Sequence, residues 1–233
     1  MTEPRIVSRQ EWLVARRAFL AKEKAFTHAR EDLARERRAL PWVKVDKPYS
    51  FQAPEGRVSL ADLFGGRGQL IVYHFMLGPD WKEGCPSCSF WADNYNGIDV
   101  HLAHRDTALI AVSRGPLDKI EAYKKRMGWT FRWVSSADSD FNFDFGVSFD
   151  PAKKVEGELN YNHGTATFGG EEAPGLSVFR RGDGGAVYHT YSTYGRGLDA
   201  VNGTYQMLDL TAKGRDEDGL PWPMAWVRRR DQY

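Results

Sequence analysis

The sequence has only two cysteines, Cys85 and Cys88, in 233 residues. A scaffold stapled by several disulfides, the usual recourse of small secreted domains, is thereby excluded. Long apolar runs are also lacking. The longest, Leu70 to Leu77, is interrupted by His74 and is far short of the ~20 residues a membrane-spanning helix needs. Charge of one sign is lacking too: 32 Lys+Arg against 31 Asp+Glu leave +1, too little to hold nucleic acid through net charge. The first ten residues show no apolar h-region and no small-residue cleavage site, so no signal peptide is read there. The expectation is a cytoplasmic protein with neither a nucleic-acid nor a membrane partner. What is present is ordinary globular composition, 42% apolar and 27% charged, with 8 Trp among 13% aromatics. That is enough chain to bury a core of useful size.

Residues 8–40 read as one long helix. Ser8 and Glu11 have capping-box spacing, and Pro41 ends the segment. Trp12, Phe19, Phe26, Leu33 and Leu40 recur every seven residues along one side, opposite a largely basic face. This stripe predicts a surface that lies on its own domain or on a second copy, and a homodimer through the helix is expected. Two short strands around Pro54-Glu-Gly56 come next, then a helical turn at 59–64. Residues 69–76 and 108–113 are nearly continuous apolar runs rich in β-branched side chains, the pattern of strands covered on both faces. An amphipathic helix at 117–129 separates the second from a third strand at 131–135. Strand, helix, strand, helix, strand in that order implies a parallel or mixed sheet carrying helices. Residues 138–173 form an aromatic and Gly/Asn/Asp-rich excursion without clean period. Gly182-Asp-Gly-Gly185 then marks a hairpin, and 198–210 reads as a closing helix. The expected division is a helical extension at 1–45, a central domain at 46–212 and a Trp-rich tail at 213–233.

The cysteine pair carries the chemistry. Cys85-Pro-Ser-Cys88 follows a buried strand, a loop and a glycine, and it opens a helix. A helix N-terminus presents free N–H groups and partial positive charge, which favour a thiolate. Pro86 fits the first helical position, where an N–H is not needed. Cys85 is therefore expected to titrate below the free-thiol value of ~8.5 and to act as nucleophile. Cys88, one turn inward, is expected to resolve the mixed disulfide.

These residues resemble the thioredoxin-like superfamily, and more narrowly the DUF899 family. The likeness is carried by Ser59-Leu-Ala-Asp-Leu-Phe64, Leu70-Ile-Val-Tyr-His-Phe-Met76 and Gly84-Cys-Pro-Ser-Cys-Ser-Phe-Trp91. Gly175-Leu-Ser-Val-Phe179, Val187-Tyr-His-Thr-Tyr-Ser192 and Gly219-Leu-Pro-Trp-Pro-Met224 extend it over most of the chain. The resemblance implies a thioredoxin-like α/β fold, a central mixed sheet flanked by helices, here with the long N-terminal helix and irregular C-terminal tail as extensions. The dithiol in this context leads to the expectation of a thiol–disulfide oxidoreductase acting on a thiol or disulfide substrate, protein or small molecule, without cofactor or metal. Thioredoxins set a cis-proline opposite the dithiol to dock substrate. Pro174 is the positional match, although Gly175 intervenes before the strand. Trp81 and His74 are the other candidates for the substrate side.

Two alternatives stand beside this. Peroxiredoxins also start a helix with a reactive cysteine, but Lys82 stands where their pattern has Thr. Cys85, Cys88, His101 and His104 form C-x2-C-x12-H-x2-H, close to a zinc-finger spacing, which would make the chain a zinc-binding or interaction protein. The aromatic set Trp129, Phe131, Trp133, Phe141, Phe143 and Phe145 reads as core.

Overall fold

The structure, a computed structural model, describes residues 4–153, 157 and 159–233. The chain divides into two compact units, the first ending at Pro41 and the second comprising Trp42–Tyr233.

The first unit is helix α1, Arg9–Arg38. The capping box forms as the sequence predicts. Ser8 Oγ accepts from the Glu11 N–H at 3.2 Å, and the Glu11 carboxylate accepts from the Ser8 N–H at 3.0 Å. Arg35, Arg37 and Arg38 lie in the last turn, where positive charge suits the helix dipole. No residue of α1 is buried, and Trp12, Phe19, Phe26 and Leu33 all lie exposed along the predicted stripe. Arginines lie over the three rings: Arg9 is 4.6 Å from the Trp12 centroid, Arg16 is 5.9 Å from that of Phe19 and Arg30 is 5.8 Å from that of Phe26.

In the second unit, eight strands form one mixed sheet in the order β1-β8-β7-β4-β5-β6-β2-β3. They are β1 Val43–Lys44, β2 Ser50–Ala53, β3 Gly56–Ser59, β4 Gln69–His74, β5 Thr107–Ser113, β6 Arg132–Ser135, β7 Gly175–Arg181 and β8 Val187–Tyr194. The centre, β4-β5-β6, is parallel. It is built by two crossovers, through α2 (Pro86–Tyr95) with the short α3 (Asp99–Ala103), and through α4 (Leu117–Met127). Both connections step across the sheet in the same direction, so right-handed crossovers place α2 and α4 on the same face. The hairpin β7-β8 adds antiparallel to β4, and the β2-β3 hairpin adds antiparallel to β6. The β4-α2-β5 unit with its antiparallel β7-β8 hairpin is the thioredoxin-like arrangement expected from the sequence.

Side chains alternate across each strand. On β4 and its continuation, Tyr73 and Phe75 enter the cluster beneath α2 and α4, while Leu70 and Val72 enter the cluster on the other face. All seven residues of β5 are buried, which explains its unbroken apolar run. The aromatic set read as one core is divided by the sheet. Trp129, Phe131 and Trp133 pack under α4, whereas Phe141 and Phe145 pack on the opposite face around α5, Phe141–Asp144. Phe143 belongs to neither and lies under the Arg114 guanidinium, 4.4 Å away.

One expectation needs correction. The closing helix is broken into a 3-10 segment, Gly195–Val201, and the short α6, Gly203–Leu208. Asn202 restarts the helix by accepting the Tyr205 N–H on its side chain at 3.0 Å, the capping preference of a short amide. The excursion at 138–173, of which 154–156 and 158 lie outside the described residues, carries α5 and a satellite cluster of Val147, Tyr161, Ala173 and Tyr194. The tail packs into the second unit. Val227 is buried, and Trp226 stands edge-on to Phe90 at 5.5 Å.

Phe75 is the pivot of the larger cluster, its centroid 4.5 Å from that of Trp133 and 5.8 Å from that of Trp129. Phe75→Ala is expected to cost about 3–5 kcal/mol of stability, the range for deleting a buried ring from a packed core. Urea unfolding of the variant against the wild-type chain measures it.

Candidate active site

β4 ends at His74, and Phe75 and Met76 carry the chain into the loop 77–84. The loop closes back on itself: the Cys85 N–H donates to the Met76 carbonyl at 3.1 Å. Gly84 is required by close approach. A Cβ there would lie 2.6 Å from the Phe75 ring and 2.7 Å from that of Tyr123. Pro86 takes the first helical turn, and Cys85 becomes the N-cap of α2 with extended backbone, φ −58° and ψ 130°.

Both cysteines are free thiols, Cys85 half-buried and Cys88 buried. Their environments push them apart. The Cys88 thiol facing Cys85 lowers the Cys85 pKa to about 7, outweighing burial, with help from the backbone N–H groups of Cys88 and Ser87 and the Ser87 hydroxyl. These contacts favour the thiolate, although none is tight enough to cap the helix through the neutral thiol. Cys88 moves well above the ordinary thiol value. Burial is the main cause, followed by the hydrogen bond to Cys85 and the negative charge Cys85 carries. Tyr73 donates to the Cys88 carbonyl at 3.2 Å, and Tyr95 stands edge-on to Tyr73 at 5.0 Å.

Pro174 lies at the start of β7. Its neighbour Gly175 pairs with His74, so it stands at the same end of the sheet as the cysteines. Its peptide bond is trans, since no cis bond occurs among the described residues. The intervening Gly175 is a packing requirement: a Cβ would meet Tyr194 and Val147 at 2.8 and 2.9 Å. Tyr161, from the excursion, donates to the Pro174 carbonyl and accepts from the Gly195 N–H at 2.8 Å. Burial raises the Tyr161 pKa. Trp81 is half-buried, packs on the same cluster as Cys85, and lays its ring over Gly78.

His74 is not brought to the cysteines. Its side chain projects to the opposite face of the sheet, 5.6 Å from the Phe141 ring, where Nε2 bonds Ser177 Oγ at 2.8 Å. Ser177 continues to Ser192 and on to His189. The Nδ1 of His74 has no hydrogen-bond partner among the described residues, and burial lowers the His74 pKa to about 3. The four zinc-spaced residues do not assemble either. His101 and His104 are exposed at α3, and no group of three or more His, Cys, Asp or Glu among the described residues is placed to hold a metal.

Sequence reasoning missed the tail's part in the site. Arg229 donates to the Gly84 carbonyl from Nε at 3.1 Å and Nη2 at 2.8 Å, and pairs with Glu83 at 3.1 Å. Its only signal was the run Arg228-Arg-Arg230, which by itself reads as a solvated basic end.

A family model described as "Bacterial protein of unknown function (DUF899)" matches residues 1–233. The chain belongs to the DUF899 family. No curated protein matches the sequence. Among solved structures, this DUF899 chain is similar to peroxidoxin BcpB from Mycobacterium tuberculosis at 13% identity and TM-score 0.48, covering 72% of this chain and 97% of that one. It is also similar to peroxiredoxin Q from Xanthomonas campestris at 15% identity and TM-score 0.44, covering 73% and 98%. A third is the mitochondrial 2-Cys peroxiredoxin from Plasmodium falciparum, at 12% identity and TM-score 0.42, covering 72% and 92%. No helix among the described residues is long and apolar enough to cross a membrane.

Two outcomes are expected. Alkylation of Cys85, followed residue by residue by mass spectrometry, has its midpoint near pH 7, whereas Cys88 reacts only well above the ordinary thiol range. Equal midpoints would remove the assignment of roles. The second concerns acid stability. His74 takes up a proton near pH 6.5 when unfolded but only at about 3 when folded. Stability is therefore full above 6.5 and falls as the pH drops toward 3, by about 2 kcal/mol at pH 5. His74→Gln should lose that increment of acid sensitivity in urea titrations at pH 7 and pH 5.

Proposed function

We propose that this protein is a thiol–disulfide oxidoreductase in which Cys85 attacks and Cys88 resolves. The carrying observation is the divergence of two neighbouring thiols, one stabilised as thiolate at a helix N-terminus and the other held protonated beneath it.

In the first step the Cys85 thiolate attacks one sulfur of a substrate disulfide. A Cys85–substrate disulfide forms, the substrate S–S bond breaks, and the other half leaves as thiolate. That step removes the negative charge from Cys85. Two of the influences that hold the Cys88 proton, the hydrogen bond to the Cys85 thiolate and its charge, go with it. Cys88 then attacks Cys85 Sγ: the Cys85–Cys88 disulfide forms, the Cys85–substrate S–S bond breaks, and the second substrate sulfur leaves with the proton that Cys88 gives up. The substrate gains two electrons and the dithiol loses two. A thiol reductant returns the pair to the reduced state seen here. We assign Pro174, whose carbonyl Tyr161 holds, and Trp81 to the substrate side of the dithiol. His74 faces the other side of the sheet and is given no part in the chemistry.

Cys88→Ser keeps the nucleophile and removes the resolving thiol. Treated with a small-molecule disulfide, this variant is expected to accumulate a mixed disulfide on Cys85, seen as a mass increment that a reductant removes, while Cys85→Ser accumulates none. If peroxide instead yields an oxidised Cys85 and the disulfide yields no adduct, the reaction is peroxide reduction and the exchange reading is wrong.

A further inference from the structure

We infer that Arg229 is the positioning residue of the dithiol: reaching in from the C-terminal tail, its guanidinium fixes the peptide unit that joins Gly84 to Cys85 and so sets the reactivity of the Cys85 sulfur. The inference rests on the reading of Cys85 as the attacking thiol.

Both polar atoms of that peptide unit are held. Its N–H donates to the Met76 carbonyl at 3.1 Å, and its C=O accepts two donations from Arg229, at 3.1 and 2.8 Å. The following carbonyl, that of Cys85, is held through the same arginine. Arg229 Nε donates to the Tyr123 hydroxyl at 3.1 Å, Tyr123 lies 2.9 Å from Ser89 Oγ, and Ser89 Oγ donates to the Cys85 carbonyl at 2.8 Å. The donors run in one direction along this chain, from guanidinium to phenol to hydroxyl to carbonyl. Arg229 therefore holds the Gly84 carbonyl directly and reaches the Cys85 carbonyl through Tyr123 and Ser89, where it adds to the Ser89 N–H that already donates there at 3.0 Å.

That side chain is itself constrained. Arg229 is 13% exposed and its charge is met by Glu83 at 3.1 Å. Glu83 also holds Arg126 of α4, which grips Asp231 of the tail at 2.7 Å. Lysine offers one compact point charge and could not span Gly84, Tyr123 and Glu83 at once.

The link to reactivity is geometric. Rotation about the backbone on either side of Cys85 decides whether its sulfur sits over the N–H groups of Ser87 and Cys88, where a thiolate is favoured. Freeing the Gly84 carbonyl releases that rotation. The other titratable or charged groups around Cys85 are Cys88 on α2, Tyr73 on β4, Glu83 in the loop, and Tyr123 and Arg126 on α4, with Lys119 holding the Pro79 carbonyl of the loop. Of these, Glu83 and Tyr123 bond Arg229 directly, at 3.1 Å each.

The test uses the full chain and the pH midpoint of Cys85 alkylation by iodoacetamide, with thermal unfolding alongside. Arg229→Met is expected to raise the midpoint by about one unit. At pH 6 the thiolate fraction then falls about tenfold. The higher intrinsic nucleophilicity of the more basic thiolate returns part of this, so alkylation slows about threefold. Arg229→Lys should recover only part of the shift. Arg230→Met removes the neighbouring tail contact to the Met127 carbonyl, and should lower the unfolding temperature without moving the midpoint. A folded Arg229→Met variant with an unmoved midpoint overturns the inference, as does an equal shift in Arg230→Met. If Arg229→Met does not fold, Arg229→Lys decides by the same criterion. A wild-type midpoint at the ordinary thiol value would instead overturn the assignment of Cys85 itself, and the two failures are told apart by that first measurement.

Discussion

Between Met76 and Cys85 the chain must leave a strand buried on both faces and begin a helix on one of them. The Met76 carbonyl and the Cys85 N–H close this turn. Phe75 and Tyr123 crowd it so tightly that only glycine fits at position 84. The rest of the site follows from that crowding. Because the loop is pressed against the core, the first residue after it is held at the helix end rather than left to range over solvent. A cysteine at that point meets N–H groups with no helical partner, and its ionised form is favoured there.

The same turn makes the two thiols unequal. One helical turn separates Cys85 from Cys88, yet the first is half-buried at the helix end and the second lies beneath the helix among tyrosines. Removing a thiolate from water is costly, so burial alone keeps Cys88 protonated, and the charge on Cys85 reinforces this. Each thiol is part of the environment that shifts the other. The proton shared between them is the means by which a change at Cys85 is felt at Cys88.

The sheet separates this chemistry from a second polar system. On the far face, His74, Ser177, Ser192 and His189 form a hydrogen-bonded row beneath Phe141 and Phe145. A buried row of this kind is stable while its imidazoles stay neutral, which ties the fold to pH rather than to the dithiol. Nearness in sequence to Cys85 misled on His74. Side chains on a strand alternate, so a single position decides which face a residue serves.

Taken alone, the sequence determined the features that depend on local pattern. Periodicity fixed α1 and its cap. The unbroken apolar runs fixed β4 and β5. The place of Cys85-Pro-Ser-Cys88 after a buried strand fixed the helix start and singled out Cys85 as the thiol at the helix end, because a helix end is electrostatically the same wherever it occurs. Tertiary structure alone decided what depends on contacts between distant segments. It sent His74 away from the cysteines, kept His101 and His104 from joining them, and divided the aromatic residues between two faces. It also brought Tyr161 to Pro174 and Arg229 to Gly84 across long stretches of chain. No period or spacing encodes those meetings, since a lone tyrosine in an aperiodic excursion and an arginine in a basic run look the same whether solvated or buried. Only the closure of the sheet and the packing of the tail on α2 give them their partners.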